Sequence, residues 1–170
     1  MCRRVCIPPI GVRKDRSHFL TMLVTNELGF VPRQRPSRDL RPQPNLRDCA
    51  NWVLGHILVS RHVTLRLLSA PPVWDQEALA RYGSGSDPIR DAADGRRMED
   101  LLRDVDGTQH RIEAALRACT EAELERIAET NRGIKPVWQH VEGLHWHETY
   151  HIGQFQILRN YVLSRRPAVE

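Results

Sequence analysis

The sequence predicts an all-α fold, a four-helix bundle with a long crossover loop. Three observations predict it. Apolar residues recur at steps of three and four over several long segments, no clear alternating strand interrupts them, and Pro- or Gly-rich breaks separate them. At 170 residues the chain suffices for one domain with a core that needs no disulfide staples. Its 41% apolar and 27% charged content is that of a folded globular protein and not of a disordered chain. No apolar run approaches the roughly 18 to 20 residues of a membrane span. The N-terminus lacks a continuous apolar segment followed by a small-residue cleavage site, so the expected location is cytoplasmic, with no membrane partner.

Residues 1–17 read as a loose N-terminal arm and residues 18–165 as the bundle domain. A first helix is predicted from about His18 to Val31, with Phe19, Leu20, Leu23 and Phe30 among its apolar positions. Pro32, Pro36, Pro42 and Pro44 then exclude a helix interior, so this Arg/Pro-rich segment is a connection. A second helix is predicted from about Leu46 to Ser69, where Trp52, His56, Val59 and Val63 recur at helical spacing. It stops at Ala70-Pro71-Pro72. Residues 71–93 form the crossover, and Trp74 and Tyr82 imply that part of it packs on the body.

A third helix follows from about Arg96 to Ala118, with Met98, Leu101, Leu102, Val105, Ile112 and Leu116 inward. Asp100, Arg103, Asp104 and Arg111 mark its solvent face. Thr120-Glu121-Ala122-Glu123 has capping-box spacing and opens a short extra helix, which Asn131-Arg132-Gly133 ends. Pro136 suits the first turn of a last helix reaching about Leu163.

Charge is uneven. Residues 1–47 hold ten Lys or Arg against three acids, a net of +7, while the fifteen bases and eighteen acids that follow carry −3, which leaves +4. These basic residues lack interleaved aromatics and form no helical stripe, so they read as a solvated arm and loop; a nucleic-acid partner is not expected. The four cysteines, Cys2, Cys6, Cys49 and Cys119, are too scattered for a disulfide framework. Cys49 and Cys119 fall in helical patterns and read as small buried hydrophobes.

The chemistry concentrates in His147-Glu148-Thr149-Tyr150-His151. Two histidines four residues apart stand one turn apart on a helix, separated by about 40° around its axis, where one divalent metal can take both. His140, Leu144, His147, His151, Phe155, Leu158 and Val162 share this stripe, so the pair faces inward. His145, two residues from His147, faces elsewhere and is read as non-liganding. His56 lies in the apolar stripe of the second helix. A lone core histidine ordinarily just donates to a carbonyl, but here a site short of one ligand competes for it, and bundles build such sites from facing helices. Three imidazoles with open positions make a catalytic-type site. His62, six residues on from His56, is expected at the surface.

The segment also spells the HExxH of zinc proteases, which would make Glu148 a general base and place a third ligand downstream. Only nineteen residues follow His151, and Glu170 is the sole acid or histidine among them, so that reading is set aside. Glu148 remains a candidate for orienting a ligand or acting on metal-bound water.

Asn51-Trp52-Val53-Leu54-Gly55-His56-Ile57, followed by Arg61, resembles the second-helix segment of the DinB-like (YfiT-related) superfamily of metal-binding four-helix bundles. His147-Glu148-Thr149-Tyr150-His151-Ile152-Gly153-Gln154, followed by Arg159, resembles its last-helix motif. The resemblance implies a bundle, often a homodimer, that holds zinc or nickel through the histidines matching His56, His147 and His151. It also implies a thiol-dependent transferase or isomerase in which the metal activates a small thiol. The expectation drawn from it is a metal-dependent transferase or hydrolase activating a thiol or water, with Glu148 and Gln154 as candidates beside the ligands. Arg61 could bind a carboxylate. A non-catalytic metal-binding stress or partner-binding protein is the contrasting expectation. The short first helix and the Arg/Pro-rich connection depart from the family pattern.

Overall fold

The computed structural model describes residues 49–87 and 89–164, with side chains as far as Asn160. The arm, the expected first helix, the Arg/Pro-rich connection, Cys2, Cys6 and the Val162 side chain lie outside the described residues. Within them the fold is all-α, as expected, with one small sheet added. Three long helices, α1 (Ala50–Leu67), α3 (Met98–Ala118) and α5 (Val137–Ser164), are joined by two short ones, α2 (Gln76–Arg81) and α4 (Glu121–Glu125).

Helix α1 is the centre of the bundle and packs on both α3 and α5. It is buried nearly all round, which suits an apolar sequence with neighbours on every side. Its end explains its length. Ser69 takes a left-handed φ of 57°, Ala70 N–H bonds to Leu65 O and Ser69 N–H to Arg66 O, which is a Schellman stop completed before the two prolines. Helix α3 is amphipathic in the ordinary way: Leu101, Val105, Thr108, Ile112 and Leu116, at steps of three and four, are its buried line. One residue departs from its predicted solvent face. Asp104 turns to the crossover, where its carboxylate accepts from Trp74 Nε1 at 2.6 Å.

The crossover does pack on the body. Asp75 caps α2 by accepting from Ala78 N–H, and Trp74 and Tyr82 are buried at 4% and 1% exposure. The capping box forms as read, with Thr120 Oγ accepting from Glu123 N–H and the Glu123 carboxylate accepting from Thr120 N–H. The following segment corrects the sequence reading. Residues Ile127–Thr130 (β1) and Gly133–Pro136 (β2) form an antiparallel hairpin, paired from Ile127↔Pro136 to Thr130↔Gly133. Asn131-Arg132 is therefore its two-residue turn and not a helix end, and Gly133 supplies the positive φ of 97°. Four-residue strands with Ile127 and Ile134 left exposed give no alternating pattern to detect.

Two apolar clusters fill the bundle. One joins Trp52, Val53, Ile57, Leu58, Tyr82 and Leu101 at the crossover end. The other joins Leu65, Ile112, Leu116, Val137, Val141 and Leu144 at the hairpin end. Along α1 the first ends at Leu58 and the second begins at Leu65. The residues between include Ser60, Arg61, His62 and Thr64, all buried and polar, and the site borders this level, with His56 one turn before Ser60.

Candidate metal centre

Helix α5 supplies His147 and His151, whose rings sit 4.4 Å apart. Helix α1 supplies His56, with its ring 5.3 Å from that of His147 and 5.0 Å from that of His151. One ligand nitrogen from each lies within 4.8 Å of the other two, so the group could hold a metal ion. The closest pair, Nε2 of His147 and Nε2 of His151, is 3.1 Å apart. That is near the separation of about 3.3 Å that two nitrogens at 2.0–2.1 Å from one tetrahedral ion would have.

The outer nitrogens explain why the inner ones converge. His56 Nδ1–H donates to the carbonyl of Tyr82 at 2.9 Å, and a carbonyl can only accept, so the tautomer is fixed and Nε2 carries the lone pair. His151 Nδ1 meets Gln154 Oε1 at 2.6 Å with the same consequence. His147 Nδ1 meets the Ser60 hydroxyl at 3.2 Å. The carbonyl tether cannot reverse and the Gln154 amide reverses only by turning over, whereas the Ser60 hydroxyl reverses by simple rotation. It donates to His147 when the Nε2 proton is shared with His151, and accepts from it when Nε2 must face a cation. Trp52 stacks on His56 at 4.7 Å and 10°, fixing the ring plane. His147 is pushed down to about pKa 4, first by burial and then by His151, Arg132 and His56, so its ring is neutral at pH 7.

The family match bears on this arrangement. A family model described as the DinB superfamily matches residues 13–155, across both histidine-bearing helices. The chain belongs to the DinB superfamily. No curated protein and no solved structure gives a significant match.

In this DinB-superfamily bundle the other predicted residues fall out as follows. His145 stays outside the cluster, as read. Its buried Nδ1 makes no hydrogen bond among the described residues and borders a cavity of about 20 Å³ shared with Ser60, Arg61, Gln109 and Glu148. Burial holds its pKa below the ordinary value. His62 corrects the expectation of a surface position. It is 4% exposed, because the crossover covers the side of α1 that faces away from the triad. Its Nδ1–H donates to Leu58 O, its Nε2 accepts from both Val73 and Trp74 N–H, and burial lowers its pKa.

Glu148 is buried, and both its oxygens are taken by Arg61, at 2.6 Å from Nη2 and 3.0 Å from Nε. Arg61 also donates to Val105 O at 2.6 Å, so one guanidinium ties α1 to α3 and α5. The carboxylate partner expected for Arg61 is thus internal. Sequence reasoning missed Ser60 and Tyr82 as partners of the triad. Ser60 had a findable signal, lying one helical turn beyond His56 on the same face. The role of Tyr82 is carried by a backbone carbonyl and had none. Cys49 and Cys119 are buried free thiols, as read. Among the described residues no helix is long and apolar enough to cross a membrane.

Proposed function

We propose that His56, His147 and His151 hold one divalent ion, zinc or nickel, and that the protein is a metal-dependent enzyme activating a small thiol or water, a transferase in the thiol case. The observation that carries this is the convergence of three imidazoles whose outer nitrogens each have a separate protein partner. Ligand histidines tied in this way have their tautomer and ring orientation set before the ion arrives. When bound, such an ion lowers the pKa of a thiol or water and so supplies a nucleophile at neutral pH. The chain's own part is to hold three imidazole donors and leave the remaining positions to a small molecule. Among the described residues no fourth His, Cys, Asp or Glu joins the group, which favours this reading over a closed, non-catalytic site.

Glu148 is not assigned a proton-transfer role. With both oxygens bonded to Arg61, its work is to fix α5 against α1 at the level of the triad. Cobalt-loaded protein titrated with 2-mercaptoethanol tests the proposal. A saturating sulfur-to-cobalt absorption band, absent in His56→Ala, is expected. A loaded protein that binds neither thiol nor exchangeable water contradicts the enzymatic reading.

A further inference from the structure

We propose that Tyr82 is a positioning residue for the triad: seated against Gly55, it brings the crossover carbonyl to His56 and so sets which nitrogen of His56 faces α5. The inference rests on reading the triad as a metal site and adds how one ligand is aimed. It starts from the residue before His56. A Cβ at Gly55 would overlap the Tyr82 ring at Cδ1, Cγ and Cε1, all under 3.0 Å, so only glycine lets the ring lie on α1 here.

The far end of the ring is held as closely. Tyr82 Oη–H donates to Asn51 Oδ1 at 3.0 Å, one turn before Gly55 on the same face of α1. The same hydroxyl accepts from Arg96 N–H at 2.6 Å, and Asn51 Nδ2–H donates to Arg96 O at 2.7 Å. Gly95 is constrained too, since a Cβ there would stand 2.7 Å from Asn51 Oδ1. The middle of the crossover and the segment that leads from it into α3 are therefore pinned to one face of α1 through one buried phenol. The ring is 1% exposed, and burial raises its pKa, so it stays a neutral donor.

The consequence lies at the backbone. With the ring seated, Tyr82 O stands 2.9 Å from His56 Nδ1. Unseated, the carbonyl moves away, His56 loses the acceptor that fixes its tautomer, and Nε2 is aimed only by the Trp52 stack. Loss of such an outer partner typically weakens metal binding about 10- to 100-fold.

Zinc affinity at pH 7, measured against a competing chelator, tests this alongside the melting temperature of the zinc-free protein. Gly55→Ala and Tyr82→Leu are expected to weaken zinc about 10- to 100-fold in folded protein. Tyr82→Phe, which keeps the ring on Gly55, recovers most of the affinity. Variants that melt lower yet bind zinc as the parent does overturn the inference, because a merely structural tyrosine behaves that way. Should those variants not fold, the ¹H–¹⁵N histidine spectrum of the zinc-loaded parent decides. His56 protonated at Nδ1 with a zinc-shifted Nε2 supports the inference, and ligation through Nδ1 overturns it. A parent that binds neither zinc nor nickel defeats the triad reading and this inference together, whereas tight metal binding with an indifferent Gly55→Ala defeats this inference alone.

Discussion

Two sets of histidines share this bundle, and apart from the half-buried His147 they are buried to similar degrees. His62 and His140 are 4% and 2% exposed, and His56 and His151 are 9% and 6%. The partners of their nitrogens separate them. Both nitrogens of His62 meet backbone groups, so its ring is a peg joining α1 to the crossover. His140 does the same for the hairpin, with Nε2 at 3.0 Å from Ala128 O and Nδ1 at 3.3 Å from Thr130 Oγ1. In the triad each Nδ1 has its own partner while one nitrogen per ring converges with the others. Burial does not distinguish the converging histidines from the structural ones; the direction of the second nitrogen does.

The Arg61–Glu148 pair sharpens that contrast, being polar, buried at the same level and fully satisfied from within. Arg61→Met strands a buried carboxylate and should cost about 3–5 kcal/mol, read from chemical denaturation. A loss under about 1 kcal/mol would mean that the pair is solvated in the folded protein.

The peg reading of His62 yields the next effect. His62→Ala leaves the N–H groups of Val73 and Trp74 without their acceptor, at about 1–3 kcal/mol for the buried Trp74 N–H and less for that of the exposed Val73. Zinc affinity should not change. A variant that keeps its stability but loses zinc would erase the distinction between the two sets.

The remaining effect is in pH. His147 stays neutral in the folded chain down to about pH 4, whereas an unfolded imidazole takes its proton near pH 6.5. Between these values the unfolded state binds more protons, so zinc-free protein loses stability as pH falls through this window. His62 and His145, also lowered by burial, add in the same direction. His147→Gln should flatten the slope of melting temperature against pH between about 6.5 and 4. An unchanged slope would show that the ring is solvated and titrates ordinarily.

Much of this was legible in the sequence, for identifiable reasons. Long helices repeat a short period many times, so α1, α3 and α5 stand out, with ends misplaced by a few residues where capping outweighs periodicity. The triad's residues were found because i, i+4 spacing on one helix and a histidine in a facing apolar stripe are local patterns. His62 was misplaced because the stripe on α1 was read as one-sided, while the crossover covers its other side. The β1–β2 hairpin escaped because two four-residue strands carry too few alternations. Glu148 was left open because nothing local says that its partner is Arg61, 87 positions away.

The most direct measurement is metal content per chain, after loading with zinc or nickel and desalting, for the parent, His56→Ala and His62→Ala. The account predicts one ion per chain in the parent and in His62→Ala, and loss of at least about a hundredfold in affinity in His56→Ala, beyond what loss of an outer partner costs. Full occupancy and affinity retained in His56→Ala would contradict the three-histidine site.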